Sequence, residues 1–303
     1  MNIIDQKINQ DLNIVRKRID IDAVLKNEYQ GKGVKKYYRI NRLPYIIFYD
    51  RSGMMHSGLS YDGKFKKLDY LGPIKIIEKY IESLKAKKIL ELGAGNGANS
   101  GLLASKYPSI SFFALDYSLK PLARYRKNKN FSQVVGDYHD LSLYEEDSFE
   151  IVFAIETICH TSNKTKVLEE IKRVLKPGGV FICFDMYSVR DESGLSENEL
   201  LIKSLVAKGM AVDEFESIEK FKKDVEKAKM IIEKNDVISN LVIPTADMLR
   251  ERSLHILGRT TWKGKLFGPI FSQDILMSFA AGMFLSAAIK NKIFSYYFQV
   301  LGK

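Results

Sequence analysis

Between residues 88 and 184, short apolar runs alternate with helix-patterned segments, and no other feature of the sequence limits the fold as much. The runs are KILEL at 88–92, ISFFAL at 110–115, QVV at 133–135, FEIVFA at 149–154 and VFICF at 180–184. Helical patterning fills the gaps at 98–106, at 121–127 (short and basic) and at 164–175. The last of these sets Val167, Leu168, Ile171, Val174 and Leu175 on one face, and Pro177-Gly178-Gly179 stops it. Strands buried on both faces read as continuous apolar runs, and strands joined through helices run parallel. The pattern therefore predicts an α/β protein whose mostly parallel sheet is covered by helices on both faces.

The flanks are less regular. Ile8, Leu12, Ile14 and Val15 lie near helical spacing, and Pro73 opens a helix with Ile74, Ile77, Tyr80, Ile81 and Leu84. Residues 195–229 read as helical and charged, and 230–232 reads as a sixth strand. Two further helical stretches at 245–290 surround a loop with Trp262, Gly264 and Gly268, and the aromatic run 293–301 reads as a final strand. This gives seven strands and four regions: an N-terminal helical lid at 1–72, a core at 73–188, a helical cap at 189–290 that includes the sixth strand, and the last core strand at 291–303. Caps of this kind close over ligands.

Composition narrows the class. With 46% hydrophobic residues and only 7 Pro in 303, the chain has apolar material for a real core and is neither fibrous nor mostly disordered. Cys159 and Cys183 stand apart from any closely spaced ligand pattern, so neither a disulfide scaffold nor a metal site is expected. Asp and Lys interrupt the first 20 residues, leaving no apolar signal segment. The most apolar run, FAAGMFLSAAI at 279–289, is shorter than the roughly 20 residues a bilayer span needs. A cytoplasmic protein without a transmembrane segment is expected. The net charge of +10 leaves open an anionic partner: nucleic acid, lipid head groups or a phosphorylated small molecule.

The chemistry concentrates where the first strand meets its helix, at Glu91-Leu92-Gly93-Ala94-Gly95-Asn96-Gly97. Glycines there permit a tight turn and close approach of a ligand to the backbone, at the carboxyl ends of the strands. GAGNGA also fits the dinucleotide fingerprint G-x-G-x-x-A. Glu91 argues against that option, because an acid beside the loop repels a diphosphate and attracts a cation. Asp116 ends the second strand, where a carboxylate can accept both hydroxyls of a ribose. Asp137 follows the third, placed for an adenine amino group. Each acid alone would serve as a helix N-cap; three at the ends of three successive strands point to a site.

Residues 88–184 thus resemble a class I S-adenosylmethionine-dependent methyltransferase. They carry the E-x-G-x-G-x-G loop, the strand-end Asp116, the pair Gly136-Asp137 and the turn Leu175-Lys176-Pro177-Gly178-Gly179. The resemblance implies a Rossmann-like seven-stranded sheet and S-adenosylmethionine as cofactor. It implies that Glu91, Gly93, Ala94, Gly95 and Gly97 hold the methionine part, and that Asp116 binds the ribose with Tyr117 beside the adenine. Asp137 and Tyr138 would frame the base, and the backbone around Ile155 would face the methionine amino group.

The segment Phe153-Ala154-Ile155-Glu156-Thr157-Ile158-Cys159-His160 is similar to the A-I-E-x-x-C-H stretch of sterol C-methyltransferases. Tyr49-Asp50 and Met55-His56-Ser57-Gly58 are similar to the Y-D and M-H-x-G segments of sterol, tocopherol and related small-molecule methyltransferases. The long aromatic signature of the sterol group near the N-terminus is missing. The candidates for catalysis are Glu156, His160, His56 and Tyr49. An alkene that attacks a methyl sulfonium needs no base at that step but leaves a carbocation, which a carboxylate or aromatic faces stabilise before a base removes a proton. Glu156 and His160 are read as cation stabiliser and base. Tyr37, Tyr38, Tyr45, Phe48, Tyr49, Trp262, Tyr296 and Tyr297 are core residues or a cation cage. A run without acids, holding Lys32, Lys35, Lys36, Arg39 and Arg42, would bind a diphosphate. The expected partner is a small isoprenoid-like molecule. An O- or N-methyltransferase of a phenolic, polyketide or amine metabolite stays open, with His160 or His56 as base. Nucleic acid is not expected, because the chain has no D/N-P-P-Y-type motif and no appended RNA-binding module.

Overall fold

The computed structural model describes residues 3–26, 40, 53–117, 125, 127–267, 269 and 271–303. Its strands are β1 (Lys88–Leu92), β2 (Ser111–Asp116), β3 (Phe131–Val135), β4 (Phe149–Ile155), β5 (Leu175–Ser188), β6 (Ile231–Val237) and β7 (Phe294–Gly302). They form one sheet in the order β3-β2-β1-β4-β5-β7-β6. The pairs β2/β3, β1/β2, β1/β4 and β4/β5 are parallel, and β7 runs antiparallel to both of its neighbours. The chain order reverses between β1 and β4, which opens a crevice at their carboxyl ends.

Each central strand is apolar on both faces because each face has its own helical layer. On one side, Ile89, Phe112, Phe153, Ile182, Phe184 and Phe298 join a core with α3 (Gly72–Ser83), α4 (Ala98–Lys106), α6 (Glu197–Gly209), α8 (Ser239–Leu257) and α10 (Gln273–Lys290). On the other, Leu90, Leu115, Val152, Phe181 and Leu301 pack against α5 (Lys164–Val174) and α7 (Ile218–Lys227). The first layer also takes in Leu12 and Val15 of α1 (Ile3–Arg16) and Val24 of α2 (Ile21–Leu25). Helix α10 contains the 279–289 run and is apolar all round, since α6 and α8 both pack against it. Among the described residues, no helix is long and apolar enough to cross a membrane.

Several elements differ from the sequence reading: α8 starts at Ser239 rather than 245, a third helix, α9 (Trp262–Phe267), lies in the expected loop, and the strands β5 and β6 are longer. Helix α5 ends at Val174, and β5 starts at Leu175 rather than 180, because Leu175 pairs with Phe149. A register shift between Phe149 and Ile151 absorbs the Pro177-Gly178-Gly179 turn, with Gly178 at φ +75°. Strand β6 runs for seven residues, where three had been expected. Its Glu233-Lys234-Asn235-Asp236 stretch lies at an exposed sheet edge and gives no apolar signal. Lys32, Lys35, Lys36, Arg39, Arg42, Tyr49, Tyr37, Tyr38, Tyr45 and Phe48 lie outside the described residues, as does most of the 121–127 stretch.

Candidate active site

The loop between β1 and α4 holds Gly93, Gly95 and Gly97 at φ of +62°, +54° and +71°. That left-handed region costs an ordinary L-residue roughly 1–2 kcal/mol. The first two glycines serve different ends. A Cβ on Gly93 would lie 2.2 Å from the Thr157 side chain, so glycine lets the turn after β4 pack onto the loop. A Cβ on Gly95 would meet nothing within 4 Å, so the space beside this turn is open. The loop is fixed from beneath. The Ala94 amide donates to the Leu115 carbonyl (3.1 Å), the Gly95 amide to Asp116 Oδ2 (2.9 Å), and Gln133 Nε2 to the Gly95 carbonyl (3.1 Å).

The three strand-end acids sit in different surroundings. Glu91 is 2% exposed. Its Oε1 accepts from Asn99 Nδ2 and its Oε2 from the Ser100 amide, both at 3.0 Å, and burial raises its pKa to about 7. Asp116 stands at the lip of the loop through its bond to Gly95. Asp137 accepts from the Tyr117 hydroxyl, from the His139 amide (2.9 Å) and from the His139 ring (2.6 Å). Burial pushes the Asp137 carboxyl up, but these bonds outweigh it and hold the group below its ordinary value. The rings of Tyr117 and Tyr138 lie 6.1 Å apart, and Ile155 is buried at the end of β4.

A second group faces the carboxyl ends of β4 and β5. Glu156 has a left-handed φ of +50°, unusual for a side chain of its size. Its amide donates to the Phe184 carbonyl at 2.7 Å. Its Oε1 accepts from the Ser57 amide (2.6 Å) and from the Tyr296 hydroxyl (3.0 Å). Glu156 lines a small cavity with Ser57, Cys159, Asp185, Met186, Met210, Phe215, Leu285, Ile289 and Tyr296. Asp185 is the acid that sequence reasoning missed. Its only signal is one carboxyl within the otherwise apolar FICFDMY of β5. It accepts from the amides of Cys159 (2.9 Å) and Met186 (2.8 Å). Burial raises its pKa to about 6, and the charge of Glu156 adds to the rise.

The two histidines expected to act in catalysis, His160 and His56, do not line this cavity. His160 donates from Nδ1 to the Ala211 carbonyl at 3.1 Å, and burial lowers its pKa to about 4. The ring is therefore neutral at physiological pH and a weak proton acceptor. Its folded pKa lies below the ordinary 6.5, so the stability it lends is present above pH 6.5 and is lost as pH falls towards 4. The full difference is about 3 kcal/mol. In parallel unfolding titrations, a His160→Gln variant is expected to lose less stability over that window than the native chain; equal losses would show that His160 is not buried as described. His56 is 7% exposed, with Nδ1 3.0 Å from the Ser57 carbonyl and Nε2 3.2 Å from Asn99 Oδ1.

The open space at Gly95, the flanking Asp116 and the aromatic pair Tyr117 and Tyr138 fit an adenosyl cofactor with a cationic amino-acid tail. Similarity to known proteins points the same way. Residues 90–183 match the family described as "Methyltransferase domain". Sterol 24-C-methyltransferase of Saccharomyces cerevisiae is 33% identical over 104 residues, which is 32% of this chain and 27% of that one. The ubiquinone biosynthesis O-methyltransferase of Actinobacillus pleuropneumoniae is 25% identical over 130 residues, 39% of this chain and 55% of that one. The chain thus spans between about a quarter and about half of the length of these curated relatives. Among solved structures, geranyl diphosphate C-methyltransferase of Streptomyces coelicolor, in complex with Mg2+, geranyl diphosphate and S-adenosylhomocysteine, superposes with a TM-score of 0.56 at 11% identity, over 88% of this chain and 97% of that one. At that identity the likeness bears on the fold alone. With the loop, the sheet order and the family match together, the chain carries a class I S-adenosylmethionine-dependent methyltransferase domain that resembles those of the sterol methyltransferases.

Proposed function

We propose that the protein transfers a methyl group from S-adenosylmethionine to an alkene carbon of an isoprenoid or terpenoid substrate. The observation that supports this reading is the small cavity in which Glu156 and Asp185 are the acids and Met186, Met210, Phe215, Leu285 and Ile289 are apolar walls. Bound S-adenosylmethionine would supply an electrophilic methyl on a sulfonium. The protein's part is then to align the alkene in line with that methyl, a contribution of about 7–11 kcal/mol in favourable cases. The alkene π pair would form the new C–C bond as the methyl C–S bond of the cofactor breaks, its electron pair staying on the sulfur of the departing S-adenosylhomocysteine, and a cation would be left on the neighbouring substrate carbon. The Glu156 carboxylate, held by the Ser57 amide and the Tyr296 hydroxyl, stabilises that charge. It then accepts the proton released as the double bond re-forms. Asp185 adds negative potential to the same cavity. His160 is given no proton-transfer role, because burial makes it a poor acceptor.

The run with Lys32, Lys35, Lys36, Arg39 and Arg42 suits a diphosphate head group, the chemistry named for the Streptomyces protein. A second reading follows from the same pair of acids: two carboxylates lining one cavity would also hold an ammonium group, and the product would then be an N-methyl amine. The test is to incubate the protein and methyl-labelled cofactor with prenyl diphosphates, polycyclic terpenoid alkenes, phenols and amines. Label in a new C–C bond supports the proposal. Label found only on oxygen or nitrogen replaces it with the alternative.

A further inference from the structure

The segment 53–60 is tied on three sides: to the glycine loop, to α8 and to Glu156. Asn96 of the glycine loop donates to the Gly53 carbonyl (2.9 Å). The Gly58 amide donates to Thr245 Oγ1 (3.1 Å), and the Ser60 amide to the Leu241 carbonyl (2.8 Å), both in α8. The Ser57 amide holds Glu156 at 2.6 Å.

His56 occupies the centre of this strap, and both ring nitrogens face acceptor atoms. One is the carbonyl of Ser57. The other is Asn99 Oδ1, whose amide nitrogen is committed to Glu91. A ring protonated at both nitrogens donates to both acceptors, and a neutral ring keeps one of the two bonds. In neither state does a ring nitrogen reach the cavity of Glu156. The ring also stands edge-on to Tyr70, with centroids 6.3 Å apart. With the ring proton on Nε2, Glu91, Asn99 and His56 are joined by hydrogen bonds, and the backbone carries the link from His56 to the Ser57 amide on Glu156, 65 residues from Glu91 in sequence.

We propose that His56 is a positioning residue that latches the 53–60 strap to the cofactor loop through Asn99 and so fixes the Ser57 amide on Glu156. Cofactor occupancy and the hydrogen bonding of Glu156 are then coupled, and the coupling acts in both directions. The choice of S-adenosylhomocysteine as probe rests on the methyltransferase reading; the latch itself does not.

The experiment is a double-mutant cycle with His56→Phe, which keeps a ring against Tyr70 but removes both donors, and Asn99→Leu. Amide hydrogen exchange is followed at Ser57 and Gly58 in the protein without cofactor, and S-adenosylhomocysteine binding is measured by calorimetry. Each single variant is expected to speed Ser57 exchange and to weaken binding about tenfold, the scale of one or two lost hydrogen bonds. The double variant is expected to be no worse than the weaker single one. Additive effects, or a Ser57 amide that stays protected in His56→Phe, overturn the latch. If His56→Phe does not fold, His56→Gln, which retains one donor, is measured instead and should fall between native and Asn99→Leu. Failure of the native protein to bind the probe would count against the cofactor reading, while the exchange arm still decides the latch.

Discussion

Glu156→Gln is expected to lower turnover by about 10²–10⁴-fold while leaving S-adenosylhomocysteine affinity within a factor of about two. Glutamine is nearly isosteric, and its carbonyl oxygen can keep the Ser57 amide and the Tyr296 hydroxyl as donors, so the left-handed turn at φ +50° should survive. What is lost is the negative charge and the proton acceptor. The rate should fall at saturating substrate, since the charge matters most when the substrate carbon becomes cationic. Single-turnover assays with labelled cofactor separate this from slow product release. Native turnover in Glu156→Gln, with an alkene substrate confirmed, would remove the carbocation mechanism.

The second large effect is expected at the glycine loop, where two similar substitutions should fail for different reasons. Gly93→Ala places a methyl group 2.2 Å from Thr157 at a φ of +62°. The backbone strain and the crowding together cost roughly 2–5 kcal/mol. The melting temperature should fall by about 10 °C, and cofactor binding should be lost because the loop and the turn after β4 are forced apart. Gly95→Ala meets no protein atom, so its cost to stability is roughly the 1–2 kcal/mol of the left-handed backbone. Its methyl group enters the open space beside the loop, and S-adenosylhomocysteine affinity should fall by about 100-fold or more while the melting temperature falls by only about 2–6 °C. The comparison of melting temperature with affinity across the two variants is the diagnostic. If Gly95→Ala binds the probe normally, the cofactor does not sit against Gly95.

The parts of this protein that could be read from sequence are those in which a local rule forces a local outcome. Apolar runs of five or so residues separated by amphipathic helices have few folds other than a covered parallel sheet. Glycines at three left-handed positions after the first strand mark a ligand loop because other residues resist that conformation. Glu156 was legible for a related reason: it is the residue that follows β4, and that position opens on the crevice whatever the side chain.

The rest depended on which distant segments the fold brought together. Asp185 reads as one stray acid in a buried strand until β5 and the turn at 157–160 put it in the cavity of Glu156. Tyr296 is an aromatic in a final strand until β7 pairs antiparallel with β5 and turns its hydroxyl onto a carboxylate 140 residues away. His56 and His160 were equal candidates for a base by residue type alone. Burial and an acceptor carbonyl hold the ring of His160 against Ala211, whereas that of His56 bridges Ser57 and Asn99. The sequence by itself determined the strand order's raw material, the glycine loop and the three strand-end acids, because backbone conformation and apolar periodicity are short-range properties. The tertiary structure alone decided which acids share a cavity and which histidine faces what, because hydrogen bonds and burial at a site depend on contacts that no short-range pattern specifies.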